Sequence, residues 1–236
     1  MVGVWAGQPL RLGRIAHGAC RFVAVVEEAI LIVEDLMYLD AAVDQVSARL
    51  FNVVNEQSGD SVGAARSHDA LSMVSDQEGN HEEALVHAQE SLRRHRQLGH
   101  RAGQARALNN TSWIHVQLGD HESALAVAAQ GLALYRELND DNGQADCWDS
   151  LGYAYSHIGE FTRAKTCYER ALAHYRRHGD RFYEADTLAH LGDSHHAAGE
   201  LEAAQAAWQE ALSILDSLQH PFAERIRMKL AGPAWL

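Results

Sequence analysis

The sequence predicts an all-α protein, a right-handed solenoid of about five helix pairs closed by a capping helix at its C-terminal end. Three observations carry that reading. Residues 10–220 contain no proline, which favours helix over a turn-rich β fold. A period of 40 residues runs through the chain: segments 145–184 and 185–224 agree at eleven of forty positions without a gap, and 65–104 and 105–144 keep the register. Within each period, apolar residues recur at steps of three and four on both sides of one glycine, the pattern of two amphipathic helices.

The repeats fall at about 25–64, 65–104, 105–144, 145–184 and 185–224. Gly79, Gly119, Gly159 and Gly199 hold one repeat position and end the first helix of each pair, where a left-handed residue suits glycine. Asn80 and Asp120 follow directly and are expected to cap the second helix. Asn80 with Glu83 has capping-box spacing. Ala84, Ala124, Ala164 and Ala204 mark the expected crossing of paired helices, where small side chains permit close approach. A second break near Gly99, Asn139 and Gly179 separates successive pairs. The first repeat is weaker, its helices expected at 20–38 and 41–57, with Leu39 replacing the internal glycine. Pro221 opens the expected capping helix, 221–231, which covers the last apolar face. The solenoid thus spans 20–231. Residues 1–19 lack periodicity and are read as a partly disordered extension.

Composition narrows the function. A formal charge of −12 with no basic run argues against direct nucleic-acid binding. The stretch 22–33 is apolar, but Glu27 and Glu28 interrupt it and it is too short to span a bilayer. With three cysteines, no paired-cysteine motif and no cationic leader, a cytoplasmic location is expected. Phosphate-loop, zincin, nucleophile-elbow and dinucleotide motifs are absent, so neither catalysis nor a cofactor is expected. Asp193 and His196, with His157, His190 and His195 nearby, combine imidazole with carboxylate. They are read as groove and core side chains rather than a metal site. Cys147 and Cys167, and the stripe Trp148, Tyr155, Tyr168, Tyr175 and Trp208, are read as packing.

Trp148, Leu151, Gly152, Tyr155, Ala164, Tyr168 and Ala171 stand at the spacings W-x2-L-G-x2-Y…A-x3-F…A, and Leu188, Leu191, Gly192, His195, Ala204, Trp208 and Ala211 echo them. On these residues the chain resembles tetratricopeptide repeat (TPR) proteins over about 200 of its 236 residues. The phrasing of segments 105–138, 151–176 and 185–221 is similar to the C-terminal repeat region of actinobacterial antibiotic-biosynthesis regulators of the SARP and STAND types. That likeness implies the sensor or interaction part of a transcriptional regulator of secondary metabolism. A stand-alone scaffold or a peptide-signal receptor is the alternative.

The TPR resemblance also implies a concave groove lined by the first helix of each pair. Its candidate partner-binding residues are Arg66, Asp69, Met73, Arg106, Asn109, Trp113, Asp146, Asp149, Tyr153, His157, Asp186, Asp193 and His196. Met73, Trp113 and Tyr153 share one repeat position, so they are expected to form an apolar ladder with rungs about 10 Å apart. Arg66 and Arg106 lie toward one end and Asp146, Asp149, Asp186 and Asp193 toward the other, a gradient that would orient an extended protein or peptide partner. The lysines of a carboxylate clamp are missing.

Overall fold

The computed structural model describes residues 41–231, and among them all regular structure is helical. Helix α1 (Ala41–Ser58) is followed by four helix pairs: α2 (Ser61–Gln77) with α3 (His81–Gln97), α4 (Arg101–Gln117) with α5 (His121–Leu138), α6 (Asp141–His157) with α7 (Phe161–His178), and α8 (Arg181–Ala197) with α9 (Leu201–Ser217). Helix α10 (Ala223–Leu230) closes the array. The pairs start four residues before the repeat boundaries read from the sequence. The expected helix 20–38 and the extension 1–19 lie outside the described residues. Helix α1 matches the expected 41–57.

Each helix packs on the next in the chain, which makes a solenoid rather than a closed bundle. The turns fall where the period placed them. Gly119 has φ 78°, a left-handed conformation that reverses the chain between α4 and α5 without a Cβ clash. Asn139 and Gln219 take the same conformation at φ 54° and 53°. Asp60, Asp120 and Asp140 cap α2, α5 and α6 by accepting bonds from backbone N–H groups. Asn80 does not cap α3: its amide donates to Glu78 instead (3.2 Å), while Glu83 pairs with Arg49. The expected capping box is therefore absent, because both side chains found stronger charged partners.

Ala84, Ala124, Ala164 and Ala204 are completely buried at the crossings. Gly152 lies beneath the Tyr168 ring, where a Cβ would come within 2.7 Å of the aromatic edge. Leu108, Leu132, Tyr135 and Leu151 form the central core, onto which Trp148 and Tyr155 pack while partly open. Leu188, Trp208, Leu215 and Ile226 form the terminal core, and Ile226 is the residue by which α10 seals it. Cys147 and Cys167 are buried free thiols; burial pushes Cys167 up to about 11. No described helix is long and apolar enough to cross a membrane.

Candidate functional site

The first helices of successive pairs touch one another, α2 with α4, α4 with α6 and α6 with α8. They therefore form the inner edge of the solenoid, with the second helices behind them. Residues at steps of three and four on these helices share that face. Arg66 and Met73 are exposed on α2, Met73 with 39% of its surface open. Asn109 and Trp113 stand one turn apart on α4, both partly buried. The Asn109 Oδ1 is buried with no hydrogen-bond partner among the described residues.

Trp113 and Tyr153 do not form separate rungs. Their rings stack with centroids 4.3 Å apart and planes 22° apart. The separation expected from helix spacing is closed because both long side chains lean along the solenoid toward each other. His157 packs on Tyr153 (4.3 Å) and donates from Nδ1 to that residue's carbonyl (2.9 Å). His190 approaches both rings, at 5.6 Å from Trp113 and 5.2 Å from Tyr153.

The groove carboxylates are occupied by donors, several from the following repeat. Asp69 is buried and receives Ser91, His95 (3.2 Å) and Arg106 (2.7 Å). Asp76 accepts Trp113 Nε1 (3.1 Å) and His81 (2.8 Å). Asp146 accepts the Tyr175 hydroxyl (2.6 Å). Asp149 accepts His190 Nδ1 (3.1 Å), and Asp186 lies 4.0 Å from the same imidazole. Asp193 accepts Trp208 Nε1 (3.1 Å) and Lys229 Nζ (2.6 Å). His196 is exposed beside the Trp208 ring, and His195 pairs with Glu200. The expected charge gradient is flatter than the sequence suggested. Asp69 neutralises Arg106 at one end, and α10 brings Lys229 onto Asp193 at the other. Among the described residues, no three His, Cys, Asp or Glu side chains converge as metal ligands.

The Asp149–His190–Asp186 cluster was not anticipated as a unit. His190 stands one turn after the predicted lining residue Asp186 and occupies a repeat position held elsewhere by Ala70, Asn110 and Ser150. That irregularity was the available signal. Burial alone would lower the imidazole. Asp149 and Asp186 outweigh it and hold His190 up at about 9. Burial raises Asp186, partly relieved by His190. Burial also lifts Asp146 to about 6, against the hydrogen bond from Tyr175. Desolvation lowers Asp69's stability as an anion, yet its three donors hold its carboxyl below the usual range.

The profile of the tetratricopeptide repeat matches residues 64–137 and 144–217, more than half of the chain. The chain belongs to the tetratricopeptide repeat family. No curated protein matches it. Solved TPR-like structures resemble it at low identity. BtubC (BKLC) from P. vanneervenii superposes with a TM-score of 0.55 at 20% identity, covering 91% of this chain and 92% of that one. A Rap protein complexed with Competence and Sporulation Factor gives 0.59 at 16%, covering 81% of this chain and 58% of that one. A signal-transduction ATPase of the STAND class with a tetratricopeptide repeat sensor, from Pyrococcus horikoshii, gives 0.57 at 17%, covering 91% and 37%. These likenesses establish the TPR fold. The chain spans little over half of the Rap protein and about a third of the STAND protein.

Proposed function

We propose that this TPR chain is a non-catalytic module that holds an extended protein or peptide segment along the inner face of α2, α4, α6 and α8. The observation that carries the reading is Asn109: its amide oxygen has no partner, and its partly exposed side chain beside Trp113 need only turn to present that acceptor to a backbone N–H of a bound chain. Exposed Met73, on α2 of the same face, offers a further apolar contact. The groove carboxylates act on such a partner through the field they leave after pairing, and Trp113 and Tyr153 present a preformed wall rather than mobile anchors. Four helices about 10 Å apart span roughly ten extended residues.

The regulator-like phrasing of the repeats supports a place in the sensor part of a transcriptional regulator of secondary metabolism, in the cytoplasm, without direct contact to DNA or membrane. The STAND structure, described as carrying a TPR sensor, is compatible with that context. A second reading, a stand-alone peptide-signal receptor, is favoured by the likeness to a Rap protein solved with Competence and Sporulation Factor.

Panning a displayed library of peptides about twelve residues long tests both readings. Enriched peptides should lose about tenfold in affinity to Asn109→Leu, the loss of one good hydrogen bond with an apolar block in its place, with an unchanged melting temperature. Peptides that bind Asn109→Leu as well as the parent protein would overturn the groove reading.

A further inference from the structure

Helix α7 stands out against the acidic chain that contains it. It carries Arg163, Lys165, Arg170, Arg176 and Arg177 against one carboxylate, Glu169, in a protein of charge −12. Arg176 is committed to Glu184 and Glu210. Arg163 lies 3.9 Å from Glu160, with both side chains more than half exposed. Lys165, Arg170 and Arg177 make no ion pair among the described residues. Arg163, Arg170 and Arg177 are seven residues apart, so they line one face of the helix about 10 Å from one to the next.

The antiparallel helix α6 answers this row with the same spacing. Tyr155 lies under Arg163 (Cζ 5.6 Å from the ring) and Trp148 under Arg170 (4.3 Å), while Asp141 shares a cleft with Arg177. Arg136 of α5 also approaches the Trp148 ring (5.4 Å). The cleft, of about 180 Å³, is lined by Trp148, Arg170, His174 and Arg177 and lies between α6 and α7. A second, of about 230 Å³, flanks α7 toward α8 and includes Phe161 and Lys165. A guanidinium laid on an aromatic ring has its plane fixed while its N–H edge stays available to a carboxylate. Arg163 and Arg170 are therefore ordered in advance, and Arg170 and Arg177 are unspent.

We infer that the outer face of α7 is a second docking surface, distinct from the inner groove, for an acidic protein segment whose carboxylates recur about every 10 Å. A helix with Glu or Asp at seven-residue spacing presents that repeat. The overall charge favours this occupant over nucleic acid. A long polyanion meets the field of the whole acidic chain, whereas a short segment gains chiefly from charges within a Debye length of about 10 Å.

The test uses the full chain and a fluorescein-labelled alanine–glutamine helix of about 22 residues with Glu at three positions seven apart. Binding by anisotropy is expected at about 20 mM salt and should weaken severalfold at about 200 mM. Arg170→Glu with Arg177→Glu should weaken it about tenfold or more, and Arg170→Gln with Arg177→Gln less. Asn109→Leu should leave it unchanged, which separates this surface from the groove. Three results would overturn the inference: equal binding of a helix with the same three Glu residues scrambled, indifference to both double variants, or binding of an oligothymidylate in place of the acidic helix.

Discussion

The indole of Trp113 and the phenol of Tyr153, forty residues apart in sequence, lie face to face at 4.3 Å across two repeats. The stack and the Trp113 bond to Asp76 together tie α4 to both of its neighbouring first helices. Trp113→Ala removes both and should cost about 2–3 kcal/mol in urea unfolding. Trp113→Phe keeps a ring against Tyr153 and should cost about 1 kcal/mol, the value of the lost donor. Equal losses for the two variants would mean that the bond, not the stack, dominates.

His190 makes stability depend on alkaline pH. Its folded value of about 9 lies above the ordinary 6.5, so the bound proton stabilises the fold. That contribution is complete below about pH 6.5 and is lost as pH rises through about 9. The gap is worth up to about 3 kcal/mol. Urea midpoints should therefore fall between pH 7 and pH 10, and His190→Gln should flatten the fall. A variant with the same slope as the parent would show that Asp149 and Asp186 do not hold the proton there.

Asp146 acts in the opposite sense at neutral pH. Its folded value of about 6 exceeds the ordinary 3.8, so the fold prefers the neutral acid. Stability from this group is present below 3.8 and lost as pH rises through about 6. Asp146→Asn keeps an oxygen acceptor for Tyr175 and removes the charge. It should raise the melting temperature by about 2–6 °C at pH 7 and change it little near pH 4. No rise at pH 7 would place this carboxylate in good contact with water.

His68 and His87 contribute sensitivity to acid. Their Nδ1 atoms are 3.0 Å apart, and burial lowers both, with the neighbouring His87 charge adding to the effect on His68. Folded values below 6.5 mean that stability is present above pH 6.5 and is lost as pH falls through them. Melting temperatures should drop from pH 7 to pH 5, and His87→Asn should lessen the drop. An unaltered acid profile would assign acid sensitivity to other groups.

The turns and crossings were legible because they depend on residue type at fixed spacing. Gly119 and Ala164 are where a 40-residue period puts a left-handed turn and a close helix contact. The shared face of Arg66, Met73, Asn109 and Trp113 was legible for the same reason. Which donor meets which acceptor was not. Periodicity fixes the direction of a Cβ, whereas Asp69 collects Ser91, His95 and Arg106 from three different turns, and Trp113 reaches Asp76 across 37 residues. Long side chains on parallel helices have several possible partners within reach, and local spacing does not rank them. Asn80 failed as a cap for a related reason: a charged neighbour, Glu78, competed for its amide.

The bonds from Arg106 to Asp69, Trp113 to Asp76, His190 to Asp149 and Lys229 to Asp193 each span about one repeat and run along the first helices. They make the inner seam of the coil the stiff one. Pulling the ends apart, or flattening the superhelix to fit a straighter ligand, strains this seam before it disturbs the alanine crossings behind it. A partner of the kind proposed above would therefore have to match the pitch of this seam or strain its bonds on binding.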